Sequence, residues 1–324
     1  MTLALLGLYL VTVGVLLPRR LAGSARLQAR PATGAALWLA LMASFTVATA
    51  LAAHHLAEPF AHEPAGLLGL AADGLLPRGS LPHHEPAGPV LPHTHDWWLP
   101  AAAGTVVAAL VAAVGLRTGL ARRRHRALLD VVAVRDKRWD ALVLEHPHPT
   151  VYCLPGRRSR VVLSRGALRL LDERQLTAAV AHEHGHIRGR HHLFRLPADA
   201  FALLLGPLPL ARLGRSEVAL LLEMAADDAA LAQVSRSELA SALCALATVG
   251  ARLPGRAPGG GRGAGPEEGP GGGSMGATAT GVLTRVRRLA RPGRGRRRPG
   301  RQLVALALPV LPALPYLLAC APPP

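Results

Sequence analysis

Four apolar runs constrain this chain before any chemistry is considered. Thr2 to Pro18, Gly34 to Ala53, Trp98 to Gly119 and Leu303 to Cys320 each approach the ~20 residues of helix that a bilayer crossing requires. Half of the residues are hydrophobic but only 3% are aromatic. That balance suits Ala/Leu/Val-rich membrane helices better than a soluble sheet protein. Met1 to Pro18 has no basic segment ahead of it and no small-residue cleavage site before the basic stretch. It therefore reads as a retained first helix rather than a cleaved signal peptide.

The charge distribution gives these helices a direction. Lys plus Arg exceed Asp plus Glu by 37 to 20, a net charge of +17, which in a soluble protein would suggest nucleic acid as a partner. Here the arginines sit beside the apolar runs. Arg19, Arg20, Arg26 and Arg30 follow the first, and Arg117, Arg122, Arg123, Arg124 and Arg126 follow the third, so both loops are expected in the cytoplasm. Between the second and third runs, residues 54–96 carry Glu58, Glu63, Asp73, Glu85 and Asp96 against Arg78 alone, as expected of an extracytoplasmic loop. That loop is rich in His and Pro and reads as a solvated connector, with metal capture as the alternative. A further basic run, Thr284 to Arg301, precedes the fourth apolar run and reads as an anchor on anionic lipid. No nucleic-acid motif accompanies it, so direct nucleic-acid binding is not expected. This gives a multi-pass plasma-membrane protein with both termini outside.

Three domains follow. Residues 1–120 hold three transmembrane helices, about 2–18, 34–53 and 98–119. Residues 121–301 form a cytoplasmic, mainly α (α+β) domain containing a Gly/Pro-dominated loop at 254–281, expected to be disordered. Residues 302–324 are the fourth helix and a short tail. Within the second domain, VYCLPG (Val151 to Gly156) and SRVVLS (Ser159 to Ser164) are short β-rich runs, and Asp172 suits the N-cap of a helix starting near Glu173. Cys153, Cys244 and Cys320 lie far apart without a CxxC pair, so neither a disulfide framework nor a cysteine zinc site is indicated.

The chemistry is concentrated in AVAHEHGHIRGRHH, Ala179 to His192. His182 and His186 are four residues apart and share one helix face, where both can bind one zinc ion. Glu183 adjoins them, where a carboxylate takes a proton from zinc-bound water. The pattern is HExxH, and it needs a third ligand. LLEMAADDAA supplies Glu223 with Asp227 one turn on; Glu223 completes a two-His, one-Glu set, and Asp227 is placed to accept the free ring N–H of a liganding histidine. His184 lies about 200° around the helix from His182 and reads as an interface histidine, whereas His191 and His192 read as capping or solvated residues at the helix end. The apolar segment Leu193 to Leu213 cannot cross the membrane an odd number of times without separating Glu223 from His182. It is expected to be a buried or membrane-dipping hairpin broken by Gly206, Pro207 and Pro209.

From the VYCLPG strand through LLEMAADD, the chain resembles the catalytic core of membrane-embedded gluzincin peptidases. The order of strand pair, HExxHxxxxH helix and ExxxD helix is that of the Bla/Mec-receptor-type metallopeptidases and the related HtpX/CAAX-protease group. Three helices before the core and one after it are closer to the Bla/Mec layout. The resemblance implies Zn2+ held by His182, His186 and Glu223, Glu183 as catalytic base, and Asp227 behind the ligands. Bla/Mec receptors carry a penicillin-binding sensor after the last helix; this sequence supplies none, so β-lactam sensing is not expected. His184 stands where the family usually has an apolar residue. The expected function is a membrane-bound zinc metalloendopeptidase that cleaves a protein or peptide substrate, as a regulatory protease acting on a cytoplasmic protein such as a winged-helix repressor. The alternatives are a quality-control protease for membrane proteins and a catalytically inactive metal-sensing receptor. The strand Arg160 to Ser164 is expected to pair with an extended substrate.

Overall fold

The computed structural model describes residues 2–61, 98–156, 159–251 and 279–291, together with 311, 313–315 and 317. Most of the expected fourth span at 303–320, residues 62–96 of the His-rich loop, the Gly/Pro loop to residue 278 and the basic run beyond Arg291 lie outside the described residues.

Helix α1 (Thr2–Leu21) contains a π-helical turn, Thr12–Leu16, and is followed by the short α2 (Ala25–Gln28). Helix α3 (Pro31–Ala61) begins on a proline, whose missing N–H would be unpaired in a first turn anyway. It extends past the expected end of the second span, so His54 and His55 are helical rather than in the loop. Helix α4 (Trp98–Val132) continues past Gly119 and carries Arg122 to Arg126 on its later turns. Among the described residues, three helices are long and apolar enough to cross a membrane: Thr2–Leu21, Pro31–Leu56 and Gly104–Val132.

A four-stranded sheet follows: β1 (Ala133–Asp136), β2 (Ala141–Leu144), β3 (Val151–Leu154) and β4 (Arg160–Ser164), in the order β1-β2-β4-β3. The two β-rich runs pair antiparallel, Val151 opposite Leu163 and Leu154 opposite Arg160. The other side of β4 pairs parallel with β2, Ala141 opposite Val161. That corrects one expectation. β4 is central with both edges occupied, so it cannot accept a substrate strand; among the described residues the unpaired edge beside the helical layer belongs to β3.

Ser164 ends the sheet and caps α5 (Arg165–Leu170), its hydroxyl accepting from Ala167 N at 3.0 Å. Asp172 then opens α6 (Glu173–Arg188) with a reciprocal capping box. Its carboxylate accepts from Gln175 N at 2.8 Å, and Gln175 Oε1 accepts from Asp172 N at 3.1 Å. Helices α7 (His191–Leu205) and α8 (Pro209–Ala230) form a hairpin about residues 206–208, where Gly206 and the flanking prolines were expected to break the chain. Then come α9 (Arg236–Ala251) and α10 (Ala279–Ala290).

Two apolar cores result. One joins the sheet to α6, α9 and α10 through Val161, Leu163, Ala179, Leu243 and Leu289. The other joins α1, α3, α7 and α8 through Val13, Trp38, Leu41, Phe201 and Leu221. Helix α8 belongs to both. Its first turns pack among the apolar helices and its last residue, Ala230, reaches the sheet-side core, so it fixes the sheet and α6 against the long helices.

Candidate metal centre

The i, i+4 spacing of His182 and His186 stacks their rings on one face of α6, edge to face with centroids 4.8 Å apart. Helix α8 crosses this face closely. A Cβ on Gly185 would lie 2.9 Å from the carbonyl oxygen of Ala226, so glycine is what lets the backbones approach. The approach brings Glu223 to the two rings. His182 Nε2 and His186 Nε2 are 3.1 Å apart, and each is 3.4 Å from a Glu223 carboxylate oxygen.

These separations suit a tetrahedral ion. Zinc–ligand bonds of about 2.0–2.1 Å at tetrahedral angles place donors about 3.3 Å apart. Among the described residues, His182, His186 and Glu223 are the group whose ligand atoms converge in this way. A second observation agrees: Glu183 is fully buried beside the rings, and its Oε1 has no hydrogen-bond partner among the described residues. A buried carboxylate oxygen without a donor is costly unless something in the site supplies one. The donor set of two imidazoles and a carboxylate therefore fits zinc, with Glu183 beside it as a further proton acceptor.

Both histidines are held by their other ring nitrogen. His182 Nδ1 lies 3.0 Å from Asp227 Oδ1, which accepts its proton and leaves Nε2 free for a metal. His186 Nδ1 lies 2.9 Å from His191 Nδ1, with the two rings edge to face. His191 is thus no capping residue. Placing His191 at the helix end suggested a cation facing the last carbonyls, but α6 stops at Arg188. Arg190 adopts a left-handed conformation, φ 48°, which turns the chain back and folds the His191 ring over Gly189. A Cβ on Gly189 would fall 2.3 Å from His191 Nε2, so a side chain at 189 would displace the ring. His184 is half-buried away from the donors, as expected.

The residue that sequence reasoning missed is Arg285, on α10. Read as part of a lipid-anchoring run, it is instead 3% exposed. Its guanidinium donates to both oxygens of Asp227, at 2.8 and 2.6 Å, and through Nη1 to Glu223 Oε2 at 2.9 Å. Nearby, Arg288 donates to both oxygens of Asp228 and to Gln28 O. Adjacent acidic residues of α8 therefore each hold one arginine of α10.

The electrostatics follow from this packing. Burial alone would raise the pKa of Asp227 and of Glu223. The Arg285 bonds hold Asp227 below its ordinary value, and His186 and Arg285 hold Glu223 well below its own. Burial disfavours protonated His182, but hydrogen bonding to Asp227 and Glu223 outweighs it and raises the metal-free imidazole to about 9. Glu183 shifts the other way, upward, because burial dominates over the neighbouring histidines. One carboxylate is thus fixed as an anion while its neighbour is tuned toward accepting a proton.

Residues 116–242 match Peptidase family M48. The match runs from the middle of α4 into α9 and includes His182, Glu183, His186, His191, Glu223 and Asp227; Arg285 lies beyond it. It supports a zinc-dependent metallopeptidase, which acts on protein or peptide substrates. No curated protein and no solved structure matches the chain.

Proposed function

We propose that the chain is a membrane-embedded zinc metalloendopeptidase whose catalytic face lies at the cytoplasmic side of the plasma membrane, with His182, His186 and Glu223 as ligands and Glu183 as general base. The convergence of the three donor atoms beside the unpartnered Glu183 Oε1 carries this reading. Zinc, when bound, supplies Lewis-acid polarisation of a carbonyl and of a water. Glu183 takes the water proton and delivers it to the leaving amine, a role suited to a buried carboxylate of raised proton affinity. Asp227 and His191 hold the two imidazoles in the tautomer that presents Nε2 inward. Arg285 holds Asp227 and Glu223 in place by charge-assisted bonds. The free edge of β3, which contributes Cys153 to the surroundings of Glu183, is where an extended substrate adds a strand.

The membrane reading rests on the three apolar helices and on the arginines that flank them. The most apolar 18-residue stretch of Gly104–Val132 contains no buried residue. A long apolar surface of that kind is stable when lipid covers it. Four spans with both termini outside, and a regulatory role against a cytoplasmic protein such as a winged-helix repressor, complete the proposal. Quality-control proteolysis of membrane proteins and metal sensing without cleavage are the competing functions. The test uses the purified full chain with zinc, alongside Glu183→Ala, against casein and against a winged-helix repressor. Cleavage of the repressor at a defined site by the wild type alone supports the regulatory reading. Broad cleavage of casein favours quality control, and equal behaviour of both proteins refutes the role of Glu183.

A further inference from the structure

The α7–α8 hairpin bears two facing stripes that the catalytic site does not use. On α7, Arg195, Asp199 and Ala202 follow one another at helical spacing; on α8, Arg212, Arg215, Ser216 and Ala219 do the same. Arg195 and Ala202 of α7 and Arg212, Arg215, Ser216 and Ala219 of α8 line an open groove of about 350 Å³, with Asp199 paired to two of its arginines. Its charge is unbalanced. Asp199 pairs with Arg215 at 2.8 Å and more loosely with Arg195 at 3.5 Å, and Arg212 adds a third positive charge to the lining.

The position of the groove along the apolar helices makes this informative. Gly23, in the loop after α1, donates to Glu217 at 2.9 Å, which ties that level of α8 to the basic end of α1. At 1.5 Å per residue, Arg215 lies roughly 3 Å and Arg212 roughly 8 Å further toward the hairpin tip. The other face of α8 at this level packs on α3, where Gly214 abuts Met42 and Trp38. Leu203, which follows the groove residue Ala202 on α7, is exposed at 66%. Guanidinium groups at this depth are expensive in hydrocarbon unless an anion or water meets them. A basic pocket between helices at the arginine-rich side of a membrane protein has the character of a headgroup site.

We propose that this groove binds the phosphate of an anionic phospholipid, with Arg195, Arg212 and Arg215 around the headgroup and the acyl chains against the exposed Leu203. The inference rests on the membrane reading of the long helices but not on the peptidase reading. The ligand anchors the hairpin, and the hairpin carries Glu223 at its far end.

The experiment uses the full chain in detergent micelles, titrated separately with short-chain phosphatidylglycerol, short-chain phosphatidylcholine and inorganic phosphate, with binding read by native mass spectrometry and thermal shift. Phosphatidylglycerol is expected to bind at one per chain. Arg212→Gln should weaken it about five-fold, and Arg195→Gln with Arg212→Gln about 25-fold, from roughly 1 kcal/mol per arginine. Zinc content, which these variants should leave unchanged, reports that the fold survives. Equal binding of phosphatidylcholine, or unchanged binding by the double variant, overturns the site. Inorganic phosphate binding as tightly as phosphatidylglycerol makes it a free-anion site and overturns the lipid. A chain that stays monodisperse after detergent removal refutes the membrane reading instead, a distinguishable failure.

Discussion

Arg285 grips Asp227 side-on, Nε to Oδ2 at 2.8 Å and Nη2 to Oδ1 at 2.6 Å, and both side chains are almost completely buried. The same guanidinium reaches Glu223, so one cation from α10 pairs with two acidic side chains of α8 and leaves the trio one negative charge. Removing one member of a buried charged set strands the others. Arg285→Ala is expected to destabilise the full chain by about 3–5 kcal/mol, read as a fall in the thermal midpoint in detergent. Arg285→Lys keeps the charge but not the fork, and should recover only part of that loss. A midpoint unchanged in Arg285→Ala would show that the three groups are solvated rather than clamped.

A second prediction concerns the zinc-holding geometry. His191→Ala removes the partner of His186 Nδ1, and Gly189→Ala pushes the His191 ring off it while keeping the imidazole. Both should weaken zinc roughly 10- to 100-fold, as losses of outer-shell partners do, measured by competition with a chromophoric chelator. His184→Ala serves as the control and should leave affinity unchanged. If Gly189→Ala binds zinc normally, the ring contact is incidental.

These two residues mark where the sequence could and could not be read. The i, i+4 pairs His182/His186 and Glu223/Asp227 were legible because helical periodicity alone puts each pair on one face. The N-cap at Asp172 and the break at Gly206–Pro209 were legible because those residues act locally. Arg285 was not, because a basic run looks the same in sequence whether it faces lipid or carboxylates brought in by a separate helix. His191 was not legible because the left-handed Arg190 just past the end of α6 folds the ring back onto His186, and nothing local in the sequence marks that turn. The central position of β4 depended on β2, a four-residue strand with no distinguishing alternation.

A third prediction tests the close approach of α6 and α8. A Cβ at residue 185 meets backbone of Ala226, which cannot move aside as a flexible side chain can. Gly185→Val is expected to separate the helices, lower stability by about 1–3 kcal/mol and lower zinc affinity with it. Retention of full zinc affinity by this variant would show that Glu223 does not depend on the packing at Gly185.

Metal removal gives a fourth. Glu223, His182 and His186 are arranged for a cation, and ligand binding to the folded state alone raises stability. Dialysis against a chelator should lower the thermal midpoint, and adding zinc back should restore both the midpoint and peptide cleavage. A midpoint indifferent to zinc would mean that the ion does not bind the folded chain.

The most direct test of the account is zinc K-edge X-ray absorption on the zinc-loaded full chain. The predicted shell is two imidazole nitrogens, one carboxylate oxygen and one further oxygen at about 2.0–2.2 Å, with one imidazole lost in His186→Ala and two retained in His191→Ala. A sulfur neighbour, a third imidazole that disappears in His191→Ala, or no bound zinc at all would contradict the assignment of His182, His186 and Glu223 as the metal ligands.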